Sequence, residues 1–190
     1  MNRGYGHIGL ATRDMDGTVA FYRDILGFPV VRYDHIEIDP KGSMRHVFLD
    51  CGNGQLISFL GPEQVDTIEP WETGINEGLK TPRGFYHFAF AADGEEELLD
   101  RQADLIMKKV EVSPVLDHDW SKSIYFDDPI NGLSLEFSTY TRPFNEDDRT
   151  LQTRFRAPMS LYNYETDAMV LSEKARFDVL EKRGLAPAKA

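Results

Sequence analysis

Cysteine is nearly absent. Cys51 is the only one in the 190-residue chain, so no intrachain disulfide can form. A lone thiol fits a reducing compartment. It sits in Leu49-Asp50-Cys51-Gly52, where nothing nearby lowers its pKa, so it is not read as a nucleophile. Long apolar runs are also missing. No stretch of about 18 apolar residues exists and no apolar core opens the chain, so neither a transmembrane helix nor a secretory signal is expected. The expected location is cytoplasmic, with no membrane partner. Positive charge is scarce: 21 Lys and Arg stand against 32 Asp and Glu, a formal net charge of −11. Arg3, Arg32, Arg45 and Lys122 are scattered and read as solvated surface charge. The lack of a basic cluster excludes nucleic acid as a partner.

What the chain does have is a repeat. His7-Ile8-Gly9-Leu10-Ala11-Thr12 is echoed by His87-Phe88-Ala89-Phe90-Ala91-Ala92. Asn53-Gly54-Gln55-Leu56-Ile57-Ser58-Phe59 is echoed by Asn131-Gly132-Leu133-Ser134-Leu135-Glu136-Phe137. Histidine opens a strand in both copies. The closing strand carries Ser58 in the first copy and Glu136 in the second. Two histidines and a carboxylate on strands are side chains that bind a divalent metal and leave positions open for substrate.

Each copy predicts strand, helix and three strands. Ile8 to Thr12 is a strand, and Asp14 or Asp16 caps a helix. Val19, Phe21, Tyr22, Ile25 and Leu26 recur at helical spacing up to Gly27. Strands follow at about 28–34, 45–50 and 55–60. Residues 61–83, with Pro62, Pro70, Gly74, Gly78 and Pro82, read as a linker. The second copy has a strand at 87–92, a helix at about 95–109 and strands at 112–115, 123–126 and 133–137. Asp127 to Gly132 forms the turn between the last two strands. Residues 142–154 read as loop and about 166–183 as a helix ended by Gly184. The expected fold is α+β: two βαβββ modules at about 4–60 and 84–140, paired into one curved mixed sheet around a metal cleft, with a helical extension over 141–190.

The doubled βαβββ unit, the histidine opening each copy, and Tyr125-Phe126-Asp127-Asp128-Pro129 before Gly132 and Glu136 together resemble the vicinal oxygen chelate superfamily of glyoxalases, bleomycin-resistance proteins and extradiol dioxygenases. The resemblance covers roughly residues 4–140. Carried over by position, it implies His7, His87 and Glu136 as metal ligands. Glyoxalase I-like members place a fourth ligand, Glu or Gln, where this chain has Ser58. The extradiol pattern implies His118 as a proton shuttle and Tyr125 as a hydrogen-bond donor at the site, although the turn before Glu136 is one residue longer than that pattern. Extradiol enzymes also carry a histidine on the Ser58 strand. This chain has none there; His46, on the neighbouring strand, is a poor substitute, and His35 is expected to be exposed.

The resemblance therefore implies a metal-dependent enzyme, with extradiol-type cleavage of a catechol- or hydroquinone-like aromatic ahead of a glyoxalase-like lyase or isomerase, or a fosfomycin-resistance-type transferase. A non-catalytic, bleomycin-resistance-like binding protein is the third reading. The expected metal is Fe(II), with Mn(II), Ni(II) or Zn(II) as alternatives. The expected partners are a small-molecule substrate and a second copy of the chain as a homodimer.

Overall fold

The computed structural model describes residues 4–38, 42–63, 71–150 and 170–186. The chain forms two compact units, Met1–Thr81 with Asp128–Leu133, and Pro82–Asp127 with Ser134–Ala190.

The first sheet has the order β1-β4-β3-β2, from β1 (His7–Ala11), β2 (Val30–Ile38), β3 (Gly42–Asp50) and β4 (Leu56–Pro62). β1 runs parallel to β4, while β2–β3 and β3–β4 are antiparallel. Between β1 and β2, helix α1 (Met15–Ala20) begins at Asp14, whose side chain accepts from the Gly17 amide at 2.9 Å. The helix widens into a π turn over Phe21–Ile25 and ends before Gly27, which has φ 79°. This turn leaves Phe21, Tyr22 and Leu26 all buried. Tyr22 packs on Phe59 of β4, ring centroids 4.7 Å apart. Each such buried side chain contributes about 1.5–3 kcal/mol of transfer free energy. β4 also requires its glycine: a Cβ on Gly61 would stand 2.7 Å from the Thr12 carbonyl oxygen. A short helix, α2 (Ile75–Leu79), completes the unit.

The second sheet repeats the order as β5-β8-β7-β6, from β5 (His87–Ala91), β6 (Leu116–Asp117), β7 (Ser121–Asp128) and β8 (Leu133–Tyr140). β5 is parallel to β8. Helix α3 (Gly94–Met107) buries Leu98, Ala103, Leu105 and Ile106. Glu95, Glu96 and Glu97 favour its positive N-terminal end. Helix α4 (Glu173–Lys182), capped by the Ser172 hydroxyl, is tied to α3 by Arg183, which donates to Glu96 and Asp100.

The fold is thus α+β, with two four-stranded mixed sheets and a C-terminal helix. Three local expectations need correction. The strand expected at 112–115 is a single bridge, Val112 to Phe126. Ser113 Oγ stands in for a backbone acceptor, taking the Tyr125 amide at 2.9 Å, and Pro114 has no N–H to continue a ladder. The expected linker contains α2, which Asn76 anchors by its burial. The terminal helix starts at Glu173 rather than near 166, because Ser172 caps it there; residues 166–169 lie outside the described residues. Among the described residues no helix is long and apolar enough to cross a membrane.

Candidate metal centre

The registers of the two sheets reproduce the repeat residue for residue. In the first, His7 stands beside Leu56, and Ser58 beside Gly9. In the second, His87 stands beside Ser134, and Glu136 beside Ala89. Paired residues on neighbouring strands share a face, and so do residues two apart. Ser58 is therefore the positional counterpart of Glu136. The face that holds each opening histidine is the more open one: His7, Gly9 and Ala11 are exposed, as are His87, Ala89 and Ala91.

In the second unit the structure brings His87 and Glu136 together. His87 Nε2 lies 3.1 Å from Glu136 Oε2. The carboxylate side chain is 8% exposed, and the imidazole, 37% exposed, forms the mouth of the pair. His87 Nδ1 is 2.8 Å from the Gly84 carbonyl oxygen. A carbonyl only accepts, so Nδ1 carries a proton, and in the neutral ring the Nε2 lone pair points toward Glu136. Two acceptors so placed favour a cation between them. The hydrogen bond that Glu136 accepts once Nε2 is protonated raises the His87 pKa, against burial, with the Gly84 contact adding to the rise.

His118 and Tyr125 are also neighbours. His118 Nε2 is 3.0 Å from the Tyr125 hydroxyl. The Tyr125 ring also stands edge-on to His87, centroids 6.2 Å apart. β7 presents Tyr125. The turn between β6 and β7 presents His118, whose amide donates to the Ser121 carbonyl at 2.8 Å. Arg142 braces that turn, donating to Asp119 Oδ2 at 2.6 Å and to Asp148 at 2.7 Å.

His7 belongs to the first unit. It lines a cavity of about 620 Å³ together with His46 and Ser58. Phe48 stands edge-on to His7, centroids 5.5 Å apart, and its ring centroid is 4.2 Å from that of His46. Burial lowers the His46 pKa; Asp34 opposes this, while His7 and Arg32 add to it. Ser58 is fully buried, and its hydroxyl donates to the Ile8 carbonyl at 3.4 Å. His35 is exposed and pairs with Glu63 at 3.2 Å. Within either unit, among the described residues, no three His, Cys, Asp or Glu side chains group to hold an ion.

The Tyr125…Asp128-Pro129…Gly132…Glu136 run divides into chemistry and architecture. Tyr125 and Glu136 face the His87 cluster. Asp128, fully buried, closes the turn and ties it to α1 and the π turn that follows it. Its Oδ1 accepts from the Ile130 and Asn131 amides at 2.8 and 3.1 Å, and its Oδ2 accepts from Asn131 Nδ2 at 2.8 Å and Tyr22 OH at 3.1 Å. Asn131 Nδ2 also donates to Thr18 Oγ1 at 3.1 Å. Gly132, with φ 65°, passes close to Gly74. Asp128 and Gly132 stand in the sequence motif, whereas their distant partner Tyr22 shows in the sequence only as a hydroxyl-bearing residue among the apolar positions of the first helix.

Comparison with known proteins gives the family. The family profile described as Glyoxalase/Bleomycin resistance protein/Dioxygenase superfamily matches residues 4–137. The chain belongs to that superfamily. Among solved structures, SMU.1112c is 26% identical over 73% of this chain and 99% of its own, with a TM-score of 0.55. The glyoxylase/bleomycin resistance protein/dioxygenase domain from Frankia sp. EAN1pec is 21% identical over 74% of this chain and 99% of its own, TM-score 0.52. A variant of the fosfomycin resistance protein FosX from Listeria monocytogenes, complexed with Mn(II) and 1S,2S-dihydroxypropylphosphonic acid, is 20% identical over 78% of this chain and 98% of its own, TM-score 0.50. The last two likenesses show the superfamily fold. No curated protein matches the chain.

Proposed function

We propose that this superfamily member is a metal-dependent enzyme, that His7, His87 and Glu136 hold one divalent ion, and that it cleaves the ring of a catechol- or hydroquinone-like aromatic with dioxygen. The observation that carries the reading is the His87–Glu136 pair. Two donors about 2.1 Å from one first-row ion, at a right angle, stand about 3.0 Å apart. The pair is at 3.1 Å with the ring tautomer already set for coordination. A buried carboxylate needs a compensating charge, which an ion supplies. His7 is the third ligand by its matching place in the repeat. Fe(II) is the metal the reading favours, because a set of two histidines and one carboxylate would suit that ion and ring cleavage with dioxygen calls for a redox-active metal. When bound, the ion supplies Lewis acidity and redox capacity.

The chain's own residues do the rest. Tyr125 OH and His118 Nε2, at 3.0 Å, form a two-member path along which a proton of a substrate hydroxyl can be held and passed on. The Arg142 brace keeps the His118 turn in place. In the overall reaction one ring C–C bond breaks beside a hydroxylated carbon, dioxygen is the oxidant, and both of its atoms end in the product. The competing superfamily chemistry is lyase or isomerase action with no redox change. In the same reading residues 1–140 are the superfamily domain and 141–190 an extension, in a cytoplasmic homodimer.

Oxygen-electrode assays of the Fe(II)-loaded protein against a catechol and hydroquinone panel test this. Oxygen uptake matched to ring-opened product is expected. Activity that persists with Mn(II) or Ni(II) under anaerobic conditions would move the protein to the lyase class. Tyr125→Phe should lower turnover while leaving metal content unchanged; unchanged turnover removes Tyr125 from the mechanism.

A further inference from the structure

In the second unit, helix α4 is fastened at its two ends. Just before its start, the Leu171 amide donates to the Val112 carbonyl at 2.9 Å, and the Leu171 side chain is buried. Just past its end, Arg183 donates to Glu96 of α3 at 2.7 Å and to Asp100. Between these points α4 buries none of its own residues. Its Ala175 and Val179, one helical turn apart and on one side, are small. They do not fill the space beside α3, and a cavity of about 390 Å³ remains, walled also by Leu99, Pro114, Val115 and Leu171. That volume is within the range that takes a small organic molecule.

The lining suits an apolar occupant better than water. Gln102, 2% exposed, donates through Nε2 to the Ser113 carbonyl at 2.8 Å. Pro114 has no N–H to offer. A held water needs about 2–4 polar partners, which this lining does not supply. The charges that reach the cavity come from α4 and its end. Asp178 is paired with Lys174 at 2.6 Å, and Arg183 with the two acids of α3. Lys182 is exposed, where pairing with an anion contributes little. Neither an ammonium nor a carboxylate would gain a buried counter-charge here. Among the described residues, no aromatic ring lines the cavity, so its walls are aliphatic. From Ala175 to Lys182 the helix rises about 10 Å, which gives the cavity an elongated wall.

We propose that the cavity between α3 and α4 is a binding site for an uncharged molecule with a straight alkyl chain, such as a medium-chain alcohol. The chain of the ligand supplies the packing that α4 lacks, so binding stabilises the C-terminal helix. Neither His87 nor Glu136 lines this cavity, and the site needs no metal.

The probes are 1-octanol, 1-hexanol and octanoate, titrated calorimetrically into the full chain with EDTA present. 1-Octanol should bind, and 1-hexanol should bind roughly fifteenfold weaker, about fourfold for each methylene removed. Amide resonances of Leu99, Ala175 and Val179 should shift on addition of 1-octanol. Ala175→Leu puts a side chain into the cavity while keeping a good helix former, and should abolish binding and raise Tm. If that variant fails to fold, Leu99→Ala, which strips one wall and should weaken 1-octanol severalfold, takes its place. No binding of 1-octanol, shifts confined to other residues, or undiminished binding in folded Ala175→Leu or in Leu99→Ala would overturn the site. Octanoate binding more tightly than 1-octanol would overturn the uncharged head group.

Discussion

Replacing Asp128 by alanine should destabilise the fold strongly. The carboxylate is fully buried and accepts four hydrogen bonds, two from backbone amides through Oδ1 and two from Tyr22 and Asn131 through Oδ2. A hydrogen bond to a charged group contributes about 1.5–3 kcal/mol, and a buried donor left unpaired costs about 1–3 kcal/mol. These contributions do not add fully, because the Asn131 side chain keeps Thr18 as a partner. The net loss for Asp128→Ala is about 3–5 kcal/mol, within the range for breaking a buried charged group away from its partners. For a chain of this length that corresponds to a fall in Tm of roughly 6–20 °C. Asp128→Asn keeps an acceptor at Oδ1 for the two amides and gives up only the Oδ2 pair, so about 1–3 kcal/mol should be lost. Urea denaturation followed by circular dichroism measures both. A loss under about 1 kcal/mol for the alanine variant would refute the view that Asp128 holds the turn together.

Two further outcomes concern the first unit. Burial, with the Asp128 charge adding, raises the Tyr22 pKa well above that of a free tyrosine. The unfolded chain therefore loses this proton first as pH rises, so stability should fall above about pH 10 and go on falling until the folded state also ionises. Tyr22→Phe should remove about 1.4 kcal/mol per pH unit from that slope in urea melts at alkaline pH; an unchanged slope would contradict the assignment. Gly61→Ala should cost about 1–3 kcal/mol, because the new Cβ meets the Thr12 carbonyl rather than a flexible side chain. A variant as stable as wild type in the same melts would show that Thr12 yields.

The repeat is legible in the sequence because it resides in short runs that alternate. His7-Ile8-Gly9-Leu10-Ala11 and His87-Phe88-Ala89-Phe90-Ala91 put histidine and small residues on one face and large apolar residues on the other, and the structure keeps that division. His118 and Tyr125 are paired by the motif they share, and a tight turn brings them together, with Asp119 at φ 72°. What stays hidden depends on long-range partners. Asp128 reads as an ordinary turn residue until Tyr22, far away in sequence, donates to it. β2 runs on to Ile38 because Gly42 to Arg45 pair with it, a match the exposed residues His35 and Glu37 do not advertise. The break at Ser113 and Pro114 involves a side chain replacing a carbonyl, which periodicity cannot register. His46 is a poor candidate by sequence position, yet β3 sets it in the same cavity as His7.

The central claim is that His7, His87 and Glu136 hold one ion. Titrating the chain with Mn(II) and following the electron paramagnetic resonance signal of the free ion counts bound metal directly. One tight site per chain is predicted in the wild type, lost in His7→Ala, His87→Ala and Glu136→Ala, each still folded by circular dichroism. Full Mn(II) stoichiometry in any one of the three folded variants would contradict it.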